Sequence, residues 1–151
     1  MEKIESIIRE YIKDIVHMSI ATCADNKPWI SEVHYSYDDD LNLYFISRPS
    51  RRHSLEVAAN GQIAGNIIKQ HKAGEEVRGV YFEGAIEMLD DVKDTDVAFQ
   101  TYNKRLGLDA TMLNEQAEEN GHCWYKINVH KFYLFDELEM EPAGKYELNW
   151  K

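Results

Sequence analysis

Four cationic side chains lie close together in residues 46–57, ISRPSRRHSLEV; they are Arg48, Arg51, Arg52 and His53. With Ser50 as the N-cap of a helix, Arg51, Arg52 and His53 would occupy its first turn. Cations there oppose the helix dipole and cost a few tenths of a kcal/mol each, up to about 1 kcal/mol. A bound anion reverses that sign, because backbone N–H groups, the dipole and the guanidiniums then converge on it. The segment therefore indicates a phosphate site; the alternative is that its arginines are solvated or pair with surplus carboxylates.

The chain around this cluster is acidic, with 27 Asp and Glu against 17 Lys and Arg and a formal net charge of −10 at pH 7. That balance argues against broad contact with nucleic acid or an anionic membrane, but it permits a small anion at a local positive site. The 151 residues, 44% of them hydrophobic, are typical of one soluble globular domain covering residues 1–151. The apolar runs are too short for a transmembrane helix. Two cysteines and a charged N-terminal segment without a secretory signal favour the reducing cytoplasm.

Other residue types that carry chemistry give weaker signals. The six histidines are His17, His34, His53, His71, His122 and His130. They show no H-x-x-x-H spacing and the chain has no C-x-x-C motif, so no metal site is predicted. Cys23 and Cys123 are interpreted as small buried residues rather than nucleophiles. His34 lies on a predicted strand, where it is either a structural histidine or a ring that lines a cofactor or substrate pocket.

The elements that would position these residues follow from the apolar periodicity. Isoleucines at helical spacing from Ile4 to Ile15 predict an amphipathic helix. Alternation with a period of two then predicts six strands, at about 16–22, 28–37, 43–47, 62–69, 79–89 and 123–135. The first three are expected to form an antiparallel meander. Further helices are predicted at 54–60, closed by Gly61; from an Asp94 cap to Gly107; and from an Asp109 cap to Gly121. The pattern of residues 139–151 is too weak to predict a helix or a strand.

Two irregularities are predicted within these strands. Gly84 interrupts the fifth strand, which suggests a bulge or the close approach of another backbone. In the last strand the apolar phase changes between Val129 and Phe132, which predicts a bulge near residues 130–131. Six mostly sequential antiparallel strands with short helices favour a small β-barrel.

The ordered set of these segments resembles the FMN-binding split-barrel family, also called pyridoxamine 5′-phosphate oxidase-like. The matching segments, over roughly residues 15–136, are MSIATCADNKPWISEVHYSYDDDLNLYFIS, SRRHSLEVAAN, QIAGNI, RGVYFEGAIEML and WYKINVHKFYLFD. The resemblance implies a mainly β fold, a six-stranded antiparallel Greek-key split barrel with flanking helices. It also implies a homodimer with two FMN molecules at the subunit interface. The aromatic residues Trp124, Tyr125, Phe132 and Tyr133 further favour a dimer, since one small barrel is not expected to bury them all.

The resemblance also implies cofactor-binding residues. Arg51 and Arg52 match the basic pair that holds the FMN phosphate, with Ser50 as the helix cap beside them. Ile46 and Ser47 match the strand end beside the ribityl chain and phosphate. The segment matching the strand whose backbone lines the isoalloxazine ring is Ser31, Glu32, Val33 and His34. His122 lies near the place where some members offer an aromatic ring from the partner subunit.

Two departures from the family pattern define what is predicted. Arg78 is followed by Gly79, where many members have Gln, and the C-terminal Arg and His that hold the substrate of the vitamin B6 oxidase have no counterparts. We therefore predict a flavin enzyme other than that oxidase, which passes hydride or electrons between FMN and a small molecule. A nicotinamide nucleotide is the candidate electron donor. The alternative is a non-catalytic flavin- or haem-binding module, with His17, His34, His53 or His122 as the axial haem ligand.

Overall fold

The computed structural model describes residues 1–108 and 110–151. Its helices are α1 (Glu2–Ile12), α2 (Arg52–Ala59), α3 (Val97–Leu106) and α4 (Thr111–Glu115). Its strands are β1 (His17–Ala24), β2 (Lys27–His34), β3 (Ser36–Tyr37), β4 (Leu43–Ser47), β5 (Gln62–Ile67), β6 (Arg78–Leu89), β7 (Cys123–Asp136) and β8 (Gly144–Asn149). The predicted helix cap Asp109 lies outside the described residues. Within residues 1–108 and 110–151, no helix is long and apolar enough to cross a membrane.

The strands form one antiparallel sheet that closes on itself at Tyr35. The strand order is β2-β1-β5-β6-β7-β4-β3, so β2 and β3 lie at opposite ends of the order although only Tyr35 separates them in sequence. Tyr35 is fully buried, and its N–H donates to the Val16 carbonyl over 3.1 Å. Because the chain passes from one sheet edge to the other at this single residue, the two edges must lie side by side. The result is a barrel, which confirms the predicted fold class.

The strand count and the local connections differ from the prediction in two respects. The predicted second strand divides at Tyr35 into β2 and β3, and only β3 pairs with β4, so the expected three-stranded meander is wrong. The unassigned C-terminal residues contain β8, which pairs with β7 beside the main path of the sheet. Eight strands are described instead of six. The amphipathic alternation could not separate β2 from β3, because the break at Tyr35 leaves the period of two unchanged.

The interior of the barrel is filled by alternate strand residues and by one face of α1. Met18, Phe45, Phe82 and Phe132 are among the fully buried side chains. Helix α1 buries Ile8 and Ile12 against them, as its spacing predicts.

The aromatic residues of β7 were expected to need a partner subunit for burial. Trp124, Tyr125 and Phe132 are instead buried within the single chain. Trp124 belongs to a second apolar cluster, where its ring lies 5.4 Å from that of Tyr102 in α3. That earlier argument for a dimer is therefore wrong, and a dimer needs other support.

The ends of α3 and α2 can be compared with the capping residues predicted from the sequence. Gly107 closes α3 in the left-handed conformation with φ 69°, as predicted, whereas the N-cap is Asp96 instead of Asp94. Helix α2 ends in an extended Asn60, and Gly61 does not adopt a positive φ, so the predicted glycine cap there is wrong. The chain enters β5 directly after Asn60, which requires an extended backbone.

Both predicted strand irregularities belong to one β-bulge between β6 and β7. Glu83 pairs with Lys131 and Gly84 pairs with Val129, which leaves His130 as the extra residue. A Cβ atom on Gly84 would lie 2.2 Å from the Asn128 carbonyl oxygen. Gly84 is therefore required because the two backbones approach too closely for any side chain.

Substituting Gly84 with alanine is expected to destabilise the fold by about 1–3 kcal/mol, because the backbone of β7 must move to admit a methyl group. Urea denaturation measures the effect as a lower midpoint. Gly79→Ala on the same strand is the matched control, since its nearest neighbour is the Tyr81 side chain at 3.3 Å, which can move. Equal midpoints for the two variants would contradict the close-approach explanation.

Candidate ligand-binding site

A cavity of about 630 Å³ lies where the two edges of the closed sheet meet. Strand β2 contributes one wall and the end of β4 with the start of α2 contributes the other, so residues far apart in strand order face each other. The volume falls in the range of roughly 300–1,000 Å³ that is typical of small-molecule sites. It suits a ligand the size of a nucleotide cofactor.

Seven of the ten predicted site residues line this cavity. They are Glu32, Val33, His34, Ile46, Ser47, Arg51 and His122. The remaining three, Ser31, Ser50 and Arg52, are not among its lining residues. Ser31 lies opposite the buried Ile20 across the β1–β2 ladder, on the same face of the sheet as Val33 but two residues farther from Tyr35. The part that each residue plays in binding remains a prediction.

The predicted N-cap at Ser50 is wrong by one residue. The N–H of Arg51 donates to the Arg48 carbonyl over 3.0 Å, which closes a turn with Pro49 and Ser50 at its centre. Proline favours such a position because its ring fixes φ. The first helical hydrogen bond runs from the Leu55 N–H to the Arg51 carbonyl, so Arg51 is the N-cap. Arg52 and His53 then begin the helix.

Four cavity residues were not among those that the resemblance implied. They are His17, Arg48, His53 and Tyr102. Arg48 and His53 belong to the cationic segment from which the prediction started. His17 lies directly opposite His34 in the β1–β2 register, a pairing that the short turn between these strands already implied. Tyr102 comes from α3, and no local signal in the sequence connects that helix with the cavity.

The cavity carries more positive than negative charge. Arg48 and Arg51 form no ion pair with any carboxylate of the described residues, although the protein has an excess of acids. One carboxylate, that of Glu32, also lines the cavity, and its Oε1 lies 3.4 Å from the His17 Nε2. Two unpaired guanidiniums facing one cavity of an acidic protein indicate an anionic ligand.

The start of α2 adds backbone donors to the same wall. The first N–H groups of any helix have no partner within it. Throughout residues 1–108 and 110–151, no side chain caps α2, and its first turn contains no acidic residue. With the N-cap Arg51 on the cavity wall, the helix offers N–H groups and the positive end of its dipole to an anion there.

His53 holds Ser47 in place at the cavity wall. Its Nε2 lies 2.7 Å from the Ser47 Oγ. Burial lowers the pKa of His53, the positive charge of Arg51 lowers it further, and Glu56 offsets part of the shift. The imidazole is therefore neutral at pH 7 and can either donate to the serine or accept from it. An anion bound beside it would favour its protonation.

Two further residues of the cavity, His122 and Tyr102, carry exchangeable protons. His122 Nδ1 lies 2.9 Å from the Glu115 Oε2, which orients the ring and leaves its Nε2 for other partners. Burial raises the pKa of Tyr102 to about 12, so this phenol stays protonated at neutral pH.

The profile of the pyridoxamine 5′-phosphate oxidase family matches residues 4–136. The chain belongs to this family. The match covers both walls of the cavity, and it confirms the membership that the ordered segments implied. Among curated relatives, the UPF0306 protein YhbP of Escherichia fergusonii is 27% identical over 115 residues, which cover 76% of each protein.

Solved structures with the same fold bind different cofactors. HutZ, the haem storage protein from Vibrio cholerae, superposes with a TM-score of 0.65 at 15% identity over 83% of this chain and 89% of its own. An FAD-binding protein from Mesorhizobium loti superposes with a TM-score of 0.63 at 18% identity over 87% of this chain and 90% of its own. At these identities the likeness shows the fold alone.

Proposed function

We propose that this protein is an FMN-binding flavoprotein that passes hydride or electrons between FMN and a small molecule. The observation that carries the proposal is the cationic cavity wall, where two unpaired arginines and the uncapped start of α2 face one cavity of nucleotide size. FMN has a phosphate for such a site, and the family of this chain is named for a flavin enzyme. The FAD-binding neighbour with the same fold adds support.

The residues of the cavity fit the parts of FMN in order. The phosphate would lie at Arg51 and the start of α2, with Ser47 and Ile46 beside the ribityl chain. The flavin ring would lie along β2, at Glu32 to His34. Among the described strands β2 pairs with β1 alone, so the N–H and C=O groups along its other edge could bond a planar polar ring.

Bound FMN would supply the hydride or electron transfer, and the protein would supply binding and orientation. Ser47, held by His53, would orient the ligand next to its phosphate. Tyr102 and His122 would be candidates to donate a proton to a substrate in the cavity. A nicotinamide nucleotide is the proposed electron donor.

The test is the spectrum of the purified protein followed by flavin titration. A yellow protein that binds FMN more tightly than riboflavin supports the proposal, because only FMN reaches the anion site. Mixing the FMN-loaded protein with nicotinamide nucleotides in a stopped-flow instrument then separates an enzyme from a flavin store. A colourless protein with no affinity for FMN would refute the proposed function.

Haem binding is the second candidate function, and one observation favours it. The four histidines suggested as axial ligands all line the cavity; they are His17, His34, His53 and His122. The His34 side chain forms no hydrogen bond or ion pair within the described residues, so its ring nitrogens are free to bind an iron. A red-brown protein that loses its colour in His34→Ala would support haem over FMN.

The protein is further proposed to be a homodimer whose interface covers the cavity. The strand register places Ile30, Ala21, Ala64 and Tyr81 on the same outer face of the sheet as the cavity residues Glu32 and His34. Ile30 is 64% exposed and Tyr81 is 37% exposed on this face. Exposed apolar side chains that are close together on one surface are typical of protein interfaces.

Light scattering at micromolar concentration is expected to give the mass of a dimer, with an interface of about 1,600 Å² or more. Ile30→Arg should shift the protein towards the monomer. Leu138→Arg is the control, since Leu138 is a similarly exposed apolar residue outside this sheet face. A folded wild-type monomer would refute the dimer.

The FMN-loaded protein is expected not to oxidise pyridoxamine 5′-phosphate at a useful rate. Residues 136–151 contain β8 but no counterparts of the Arg and His that hold that substrate in the B6 oxidase. Formation of pyridoxal 5′-phosphate, followed by absorbance beside an authentic oxidase, measures the outcome. Steady product formation would contradict the prediction.

A further inference from the structure

Arg52, one of the two arginines matched to the phosphate, is engaged elsewhere. Its Nε donates to the Glu56 Oε1 over 2.9 Å, one turn further along α2. Its guanidinium also lies 4.0 Å from the centre of the Trp29 ring on β2. These contacts hold the side chain against β2, and Arg52 is absent from the cavity wall.

The buried carboxylate of Glu56 is the main reason why Arg52 stays in this position. Only 8% of Glu56 is exposed, and its second oxygen accepts a hydrogen bond from the buried Thr22 on β1 over 2.5 Å. The hydrogen bonds from Thr22 and Arg52 lower the pKa of this carboxyl, so it is ionised at neutral pH. Moving Arg52 to a phosphate would leave a largely buried carboxylate without its cation, which is costly. Arg52 therefore stabilises the packing of α2, directly against Trp29 on β2 and through Glu56 against Thr22 on β1.

The Arg48 side chain, in contrast to that of Arg52, lines the cavity. The hydrogen bond from the Arg51 N–H to the Arg48 carbonyl places these two residues at the two ends of one turn. Both side chains line the cavity, and neither forms an ion pair or ring contact within the described residues. Two free guanidiniums are thus brought to one wall by the turn around Pro49.

We infer that Arg48 and Arg51, instead of Arg51 and Arg52, are the cations that bind the phosphate of the ligand, and that Arg52 is a structural contact of α2. The inference rests on the proposed function, and it names the phosphate ester as the chemical class that the cationic wall recognises. A guanidinium suits this task because it offers a planar fork of donors to phosphate oxygens. The Nε of Arg52 is committed to Glu56, its guanidinium lies against Trp29, and its side chain does not line the cavity.

The experiment compares FMN and riboflavin affinities of Arg48→Ala and Arg52→Ala by flavin fluorescence, with thermal melting of each apo-protein. Arg48→Ala should reduce the preference for FMN over riboflavin by about tenfold or more, without lowering the melting temperature. Arg52→Ala should keep that preference within about twofold of wild type and should melt about 2–4 °C lower.

Arg9→Ala is the matched control for the structural contact. Arg9 forms the same two kinds of interaction, an ion pair with Glu5 one turn away and a ring contact with Trp150, and it does not line the cavity. Arg52→Ala and Glu56→Gln should also be non-additive in melting temperature, since each removes the same ion pair. Additive decreases in melting temperature would contradict the structural role inferred for Arg52.

The outcomes separate this inference from the proposed function. A loss of FMN preference in Arg52→Ala with none in Arg48→Ala would overturn the inference and restore the original pair. A wild-type protein without any preference for FMN would overturn the proposed function instead. Inorganic phosphate then serves as the probe: stabilisation of the wild type and Arg52→Ala, but not of Arg48→Ala, supports the arginine assignment, and equal stabilisation of all three refutes it.

Discussion

Arg51→Ala is expected to bind FMN about 10- to 150-fold more weakly than the wild type while its affinity for riboflavin stays within about twofold. A charge-assisted hydrogen bond contributes roughly 1.5–3 kcal/mol, which converts to that range of affinity. Arg51 is exposed on the cavity wall, so the lower end applies. Titration of both flavins followed by fluorescence measures the two affinities.

Two further results are expected if Arg51 binds the phosphate. Arg51→Lys should recover only part of the FMN affinity, because an ammonium lacks the planar fork of donors. The apo form of Arg51→Ala should be slightly more stable than the wild type, since a cation at the N-cap of α2 opposes the helix dipole. Wild-type FMN affinity in Arg51→Ala would show that the cationic segment is a solvated surface feature.

Asp136→Ala is expected to destabilise the fold by about 3 kcal/mol, the lower end of the range for a broken buried ion pair. The Asp136 carboxylate is fully buried and lies 2.7 Å from the Nε of Arg78, whose side chain is also largely buried. It also accepts the N–H groups of Leu138, Glu139 and Met140, which turn the chain out of β7. Arg78 keeps one partner in Glu139, which is why the lower end applies.

Glu139→Gln is the control for this substitution. Its carboxylate bonds the same arginine, but the side chain is more than half exposed, so its loss should cost at most about 1 kcal/mol. Guanidinium denaturation of both variants measures the difference. Equal losses would mean that burial does not decide the contribution of this network.

The same carboxylate should make the stability of the wild type depend on pH in the acid range. The hydrogen bonds from Arg78 and from the three backbone N–H groups outweigh burial and lower the pKa of Asp136 in the folded state. Its contribution is therefore complete above the unfolded pKa of about 3.9 and is lost as the pH falls through the lower folded value. Asp136→Ala should show a flatter dependence in that range.

Features that depend on residues close in sequence were predictable from the sequence alone. The spacing of isoleucines predicted α1, because one helical face repeats every three or four residues regardless of what packs on it. The phase change in β7 and the glycine in β6 each predicted the bulge, since both record a local change of register. The concentration of cations before α2 was also visible in the sequence, and Arg48 and Arg51 from it line the cavity.

Features that depend on which strands become neighbours were decided only by the tertiary structure. No local pattern shows that the chain crosses from one sheet edge to the other at Tyr35, yet that crossing brings β2 and β4 together and forms the cavity. The roles of the arginines were decided in the same way. Arg52 meets Trp29 and Glu56 because α2 packs on β1 and β2, and this leaves Arg48 and Arg51 on the cavity wall. The sequence determined that cations gather here, whereas packing determined which of them remain free, because an ion pair depends on distances that only the folded chain sets.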